Sequence, residues 1–231
     1  MRRPLPRAHS TLFEDRVDAG RRLATRLDVY RGSDALILGI PRGGVPLAAE
    51  VARWLAADLD VIVARKLGAP GALEVAIGAV TANGGLFLDL ASIGSLDVSQ
   101  VYLDRVIAFE RAEALRREMV FRGSRPQAPV AGRTVIVVDD GIATGATMRA
   151  AVRSVRKAEP GRLIIAVPVG PRSTCEELSV EADEVVCLYQ PEPFFAVGLH
   201  YEHFEPTEDD EVLRLLREAG EHRSAVPPRA G

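Results

Sequence analysis

The chain has 231 residues, of which 47% are hydrophobic and 26% charged, with a formal net charge of -3. These values are typical of a globular protein with a substantial core, and they argue against a nucleic-acid binder that relies on bulk positive charge. Two cysteines are too few for a disulfide framework, and no run reaches the roughly 18 apolar residues of a membrane span. We therefore expect a cytoplasmic protein with neither nucleic acid nor membrane as a partner.

The first half of the chain begins with alternating helices and strands. Apolar spacing and short buried runs predict helix, strand, helix and strand at 13–27, 35–38, 45–56 and 61–64. Glycine and proline interrupt residues 65–73, which we expect to form a loop. Two strands at 75–81 and 86–88 then form a predicted hairpin, because Asn-Gly-Gly separates them.

The second half begins with a long helix, 99–121, whose mixed charges are typical of a solvated face. Strands and helices then alternate, at 134–138, 148–158, 162–168, from 174, 184–188 and 208–219. Continuous apolar strands that alternate with helices are typical of an α/β protein with a parallel sheet covered on both faces. Ligands of such sheets bind at the carboxyl ends of the strands.

One such strand end carries the most informative motif, which reads VIVVDDGIATGAT from Val135 to Thr147. Asp139 and Asp140 follow the strand, and on a continuing strand they would point to opposite sides. The loop that follows has small residues, hydroxyls and a helix start, which together favour an anion site for a monophosphate. Ionised carboxylates only accept hydrogen bonds, so sugar hydroxyls are their natural partners. Ribose 5-phosphate offers a diol to the acids and a phosphate to the loop.

Other phosphate-binding motifs do not fit this stretch. The sequence contains neither the G-x-x-x-x-G-K-[ST] of P-loop proteins nor a G-x-G-x-x-G after the first strand. The adjacent aspartates also differ from the D-x-D of haloacid-dehalogenase-type phosphatases. The remaining alternative is an ordinary strand–helix turn with incidental acids, although burying two neighbouring acids without a role is costly.

The motif resembles the phosphoribosyl pyrophosphate (PRPP) signature of type I phosphoribosyltransferases. The resemblance implies their fold, a central and mostly parallel sheet flanked by helices with a small hood. It also implies that Asp139 and Asp140 bind the ribose 2- and 3-hydroxyls and that Ala143 to Thr147 hold the 5-phosphate. The implied donor-binding residues of this motif are Asp139, Asp140, Gly141, Ile142, Ala143, Thr144, Gly145, Ala146 and Thr147.

Two further stretches resemble other parts of the same family. GIPRGGVP after the first strand resembles the pyrophosphate loop, with Arg42, Gly43 and Gly44 as donor-binding residues and a cis peptide expected at Pro41–Arg42. An ordinary turn before a helix is the alternative for Arg42. ARKLGAPG resembles the mobile loop of adenine phosphoribosyltransferases, which implies that Arg65 and Lys66 meet the pyrophosphate.

The resemblance implies an enzyme that transfers phosphoribosyl from PRPP to a nitrogenous acceptor, expected to be a nucleobase, and releases pyrophosphate. Mg²⁺ would enter with the substrate and would have no direct protein ligand. A water molecule could bridge it to Asp139 or Asp140. The catalytic residues implied are Asp139, Asp140, Arg42, Lys66 and, as a candidate general acid, Glu74. The alternative is a regulator that senses PRPP or a nucleotide without turnover. Regulators of this fold usually add a DNA-binding domain or a basic RNA face, and neither is evident.

The acceptor is less well defined. In hypoxanthine–guanine enzymes an aspartate and a lysine occupy the positions of Ala143 and Ala146, so the orotate and adenine patterns are nearer. A hood built from 191–220, with a contribution from 12–30, would cover a core at 12–190. Its aromatic residues would stack on a planar acceptor or pack within the hood, and the candidates are Phe194, Phe195 and Tyr201.

Two expectations concern the rest of the chain. The long helix at 99–121 could serve a homodimer. Segments 1–11 and 221–231 are expected to be flexible ends.

Overall fold

A computed structural model describes the backbone of residues 12–225 and the side chains of residues 12–221. The elements in chain order are α1 Arg16–Arg26, β1 Ala35–Gly39, α2 Gly44–Leu55, β2 Asp58–Val61, β3 Ala64–Ala69, β4 Ala72–Thr81, β5 Leu86–Leu88, α3 Leu90–Ser95, α4 Gln100–Arg122, β6 Thr134–Val138, α5 Ala146–Arg156, β7 Arg162–Val169, α6 Arg172–Leu178, β8 Glu184–Tyr189 and α7 Asp209–Ala225. Short 3₁₀ turns lie at Asp28–Tyr30 and Val197–His200.

Within residues 12–225 the central sheet has five strands in the order β2-β1-β6-β7-β8, and every neighbouring pair is parallel. Alternate residues of the buried strands contribute to two apolar cores, one on each face. One core packs against α1, α2 and α7, and the other packs against α5 and α6. The predicted parallel sheet with helices on both faces is therefore confirmed.

A second, smaller sheet extends from the central one. Strands β3, β4 and β5 pair antiparallel. Residues of α4 such as Leu103 cover these strands and form an apolar cluster with Leu67 of β3 and Ile77 of β4. The hairpin predicted between β4 and β5 is present, with Gly84 in the turn at φ +77°. The short helix α3 was not predicted.

Two boundary predictions in this region are wrong. Residues 65–73, expected to form a loop, lie mostly in β3 and β4. The reason is that residues 64–69 pair with residues 72–81, and Gly71 turns the chain between them at φ +75°. Glycine and proline here mark a hairpin turn and register shifts around Gly68. Residues 61–64, predicted to form one strand, are instead the connection between β2, which ends at Val61, and β3, which begins at Ala64.

The ends of the chain are described in part. The predictions of flexible segments at 1–11 and 226–231 fall outside the described residues. Residues 221–225, also expected to be flexible, continue α7 as helix. Among residues 12–225, no helix is both long enough and apolar enough to cross a membrane.

A buried charge network fixes α4 against the central sheet. Arg122 at the end of α4 donates from Nε to Asp60 Oδ1 at 3.0 Å, from Nη1 to Glu118 Oε2 at 2.8 Å and from Nη2 to Val61 O at 2.8 Å. Backbone amides of Val63 and Ala128 donate to the two carboxylates. All three charged side chains are at most 11% exposed. The network therefore joins β2, the start of the second sheet and the end of α4.

We expect Arg122→Met to lower the free energy of unfolding by about 3 kcal/mol, because it leaves two buried carboxylates without their cation. Urea denaturation at neutral pH measures this loss. Arg214→Met is the matched control, because Arg214 pairs with Glu218 on the surface of α7 with both side chains over 40% exposed. A loss no larger than that of the control would show that the network contributes little to stability.

Candidate active site

A cleft of about 640 Å³ opens at the carboxyl end of β6, where the central sheet meets the second sheet. Among the residues predicted from sequence to bind the donor, those that line it are Arg65, Lys66, Asp139, Asp140, Gly141, Ile142, Ala143, Thr144, Gly145 and Thr147. Pro41 contributes from the end of β1, and Val106 and Glu110 contribute from α4. The fold thus brings three separate sequence motifs to one cavity.

The PRGG loop after β1 lies directly against the two aspartates. A Cβ atom on Gly43 would collide with Asp140 Oδ2, and one on Gly44 would lie 2.6 Å from the carbonyl oxygen of Val138. Both glycines are therefore needed for this close approach. The peptide bond between Pro41 and Arg42 is cis, as predicted.

The small-residue loop after β6 is held from behind. Ile142 N–H donates to Val169 O at 2.9 Å, and Thr174 Oγ1 donates to Ala143 O at 2.9 Å. Gly145 precedes α5 with φ +76°, a conformation that favours glycine. Ala143 and Thr144 remain exposed at the cleft. The first turn of α5 therefore follows a fixed, accessible loop, as an anion site at a helix N-terminus requires.

Asp139 and Asp140 both line the cleft. They follow the end of β6 at Val138, so the strand alternation assumed in the sequence analysis does not extend through them. Asp139 Oδ1 accepts from the Asp140 N–H at 2.9 Å. Burial, followed by the neighbouring charge of Asp140, raises the pKa of Asp139 well above its ordinary value. Burial also raises the pKa of Asp140, and the charge of Arg16 opposes this shift.

Arg16, which sequence reasoning missed, is the ion-pair partner of Asp140. Its Nε donates to Asp140 Oδ2 at 2.9 Å, and its Nη2 lies 2.9 Å from the same oxygen. Tyr201 also contacts this aspartate, donating from its hydroxyl to the Asp140 carbonyl at 2.6 Å. Arg16 is the first residue of α1 and belongs to no recognisable motif, so only the folded chain reveals it.

The basic residues have different surroundings. Lys66 is exposed on β3 and lines the cleft. Arg65 also lines it, and its Nε donates to Glu110 Oε2 at 2.8 Å. Arg42 does not line the cleft: its Nη1 lies 3.5 Å from Glu208 Oε2 and 3.6 Å from Asp209 Oδ1. Glu110 was not predicted as a site residue, because the mixed charges of the 99–121 helix were interpreted as a solvent-exposed face.

The remaining predicted residues do not line the cleft. Ala146 is buried in the first turn of α5, and Glu74 is exposed on β4. Tyr201 is 4% exposed and packs between Phe13 and Phe204, with ring centroids 5.3 and 4.9 Å away. The other two aromatic candidates are Phe194, which stacks on His200 at 5.4 Å, and Phe195, which is 68% exposed. Val197 of the same segment does line the cleft.

Comparison with known proteins agrees with this geometry. A sequence model described as the phosphoribosyl transferase domain matches residues 11–203. Two Mycobacterium tuberculosis proteins whose names assign them to the phosphoribosyl transferases, MT0597 from strain CDC 1551 and Rv0571c from strain H37Rv, are each 45% identical over 208 residues. That alignment covers 90% of this chain and 47% of each relative. The chain thus spans about half the length of these curated relatives.

A solved structure is also similar. The crystal structure of TT1426 from Thermus thermophilus superposes with a TM-score of 0.75 at 43% identity, covering 89% of this chain and 98% of that one. The parallel sheet with helices on both faces is the fold of the type I phosphoribosyltransferases. The chain belongs to the phosphoribosyl transferase domain family, whose enzymes are pentosyltransferases.

If the ligand is PRPP, as proposed below, we expect Gly43→Ala to weaken its binding by about tenfold or more, because the added methyl group would displace the Asp140 carboxylate. Calorimetric titration with PRPP and Mg²⁺ measures the affinity. Gly94→Ala is the matched control, since a Cβ at Gly94 meets nothing within 4 Å. Equal affinities in the two variants would show that the close approach of the PRGG loop does not matter for binding.

We expect Asp139→Asn to raise the free energy of unfolding at neutral pH. The folded state raises the pKa of Asp139 above 3.8, so the ionised acid opposes folding at any pH above the raised value. The gain should shrink as the pH falls through that value and should vanish near the ordinary one. Urea denaturation at a series of pH values tests this.

Asp89→Asn provides a control of opposite sign. The Ser92 hydroxyl and backbone amide lower the pKa of Asp89, so its ionised form stabilises the fold at neutral pH. That variant should lose stability at neutral pH and recover the difference as the pH falls below 3.8. A pH-independent effect of Asp139→Asn would contradict the electrostatic explanation.

Proposed function

We propose that the chain transfers the phosphoribosyl group of PRPP to a nitrogenous acceptor, a nucleobase-like molecule, and releases pyrophosphate. One observation carries the proposal: a single cleft brings together an acid pair, a small-residue loop before a helix N-terminus, and Lys66. These features match the ribose diol, the 5-phosphate and the pyrophosphate of one ligand. The family membership supports the reaction class.

The two strand-end loops would hold the ribose phosphate. Backbone amides of the loop from Ala143 to Thr147, ahead of α5, suit the 5-phosphate because they offer donors and a favourable helix dipole. Asp139 and Asp140 would accept hydrogen bonds from the 2- and 3-hydroxyls. The same two carboxylates stabilise positive charge that develops at C1 as pyrophosphate leaves.

Basic residues would receive the leaving pyrophosphate. Lys66 lines the cleft, and its charge is close enough to lower the pKa of Asp139. Arg42 would turn from Glu208 and Asp209 toward the pyrophosphate. Its ion pairs with these acids are long and solvent-exposed, so breaking them costs little.

The acid pair also fits a magnesium ion that arrives with PRPP. Carboxylate oxygens are ligands that Mg²⁺ prefers, and it commonly keeps several waters, so a water-bridged contact suits Asp139 or Asp140. Burial raises the pKa of both acids, and the charge of Asp140 adds to the shift of Asp139, so a cation beside the pair would favour the ionised carboxylates. Mg²⁺ would supply charge neutralisation on the pyrophosphate.

The acceptor would enter beside the second sheet. Leu73 on β4 and Val106 on α4 line the cleft together with Glu110, the carboxylate on α4, and Val197 lines it next to Gly141. An apolar wall with one acidic group suits a flat heterocycle that donates N–H bonds. A role of Glu74 as general acid, or of Phe194, Phe195 or Tyr201 in stacking, would require movement toward the cleft. The cytoplasmic location and the homodimer also stay predictions.

A panel assay tests the proposal. The protein is incubated with PRPP, Mg²⁺ and one nitrogenous base at a time, and pyrophosphate release is followed. Turnover with at least one base is expected. We expect Asp140→Asn to lower kcat/KM by about 100-fold, since one carboxylate loses its charge toward both the diol and the developing cation.

Asp104→Asn is the control for this variant, because Asp104 lies on α4, where its Oδ1 accepts from Gln100, and does not line the cleft. PRPP binding without turnover on any base would favour a sensor of PRPP. No binding of PRPP at all would overturn both functions.

A further inference from the structure

We propose that Arg16 is a positioning residue for the donor: it holds the Asp140 carboxylate by Oδ2, so that Oδ1 is the oxygen that accepts from the ribose diol. The inference rests on the proposed function and adds a residue from outside the three recognised motifs. It starts from the Arg16–Asp140 ion pair, whose side chains are only 13% and 16% exposed.

The guanidinium of Arg16 is fixed by more than its ion pair. Nη1 donates to the backbone oxygen of Glu205 at 2.7 Å, and the guanidinium carbon lies 3.9 Å from the centroid of the Phe204 ring. Nε and Nη2 both reach Asp140 Oδ2. Each of its three nitrogens therefore has a defined partner, which is the geometry of a group that orients another.

Arg16 contacts Asp140 from behind the cleft. Asp140 is among the residues that line the cavity, whereas Arg16 is not. The guanidinium thus does not stand between the carboxylate and an entering sugar. Both of its contacts fall on Oδ2, the oxygen next to Gly43, which leaves Oδ1 outside these contacts. This arrangement favours positioning over a blocking role.

The backbone of Asp140 is held from the same side. Tyr201 donates to its carbonyl at 2.6 Å, and Tyr201 packs on Phe204, the ring that lies against Arg16. The start of α1 and the segment from Tyr201 to Glu205 therefore fix both the side chain and the main chain of one acid. The Tyr201 contact fixes only the backbone of Asp140, whereas the ion pair with Arg16 sets which oxygen of its carboxylate can accept from a ligand.

Charge gives the contact a second effect. A buried carboxylate beside another acid is costly, and a hydrogen-bonded cation offsets that cost. Without Arg16, the Asp140 carboxylate would lose both its orientation and its compensating charge. Binding of the sugar should then suffer, while phosphate binding at the separate loop should not.

The experiment compares wild-type protein, Arg16→Met, Arg16→Lys and the control Arg21→Met. Arg21 lies on the same helix with its side chain 71% exposed. Calorimetry in the presence of Mg²⁺ gives the affinity of each for ribose 5-phosphate, which carries the diol, and for inorganic phosphate, which lacks it. Circular dichroism confirms that each variant is folded.

We expect Arg16→Met to weaken ribose 5-phosphate binding by about tenfold or more, the effect of losing a hydrogen bond to a charged group, and to leave phosphate binding within about twofold. Arg16→Lys should recover part of the affinity, because lysine keeps the charge but not the two-nitrogen grip. Arg21→Met should behave as wild type.

Three results would overturn the inference while the proposed function stands: wild-type affinity of Arg16→Met for ribose 5-phosphate, tighter binding as expected of a removed block, or an equal loss for both ligands. If Arg16→Met does not fold, wild-type affinity of Arg16→Lys for ribose 5-phosphate overturns it instead. If wild-type protein binds neither ribose 5-phosphate nor PRPP, the proposed function fails and the inference fails with it.

Discussion

The parallel pairing of β1 with β6 is the constraint on which the rest of the site depends. In this register Gly39 lies opposite Val138, so the two central strands end at the same level. The loops that follow must then share a small volume above the sheet. Gly43 and Gly44 make this possible, because any side chain there would meet Asp140 or the end of β6. Two motifs nearly a hundred residues apart therefore form one binding surface.

The electrostatics of that surface reflect a compromise between stability and function. Two acids follow one another at a buried strand end, and burial raises the pKa of each. The charges of Arg16 and Lys66 reduce this electrostatic cost, and the acids are kept although apolar residues would avoid it. An electrostatic cost of this kind is expected where a site receives a cationic or hydroxyl-bearing ligand, because the bound ligand offsets part of it.

The second sheet and α4 complete the cleft from the other side. The buried contacts of Arg122 with Asp60 and Glu118 fix the end of α4 at the end of β2, where the chain leaves the central sheet. From that anchored position α4 places Val106 and Glu110 in the cavity wall. Recognition of the acceptor is therefore expected to depend on this internal segment as well as on the ends of the chain. The ion pair of Glu110 with Arg65 joins α4 to β3, and both elements line the cleft.

The sequence by itself determined the α/β class, most strands of the central sheet and the donor motif, because these depend on local signals. Continuous apolar runs give buried strands, and an acid pair before small residues is a local motif that can be recognised without knowledge of the fold. The cis bond at Pro41–Arg42 followed from resemblance to a family loop. Only the tertiary structure decided that 65–73 forms a hairpin and that Arg42 pairs with Glu208 and Asp209. It also placed Arg16 behind Asp140 and Glu110 in the cleft. These contacts join residues far apart in the chain, and their partners are set by packing, for which a single sequence carries no local signal.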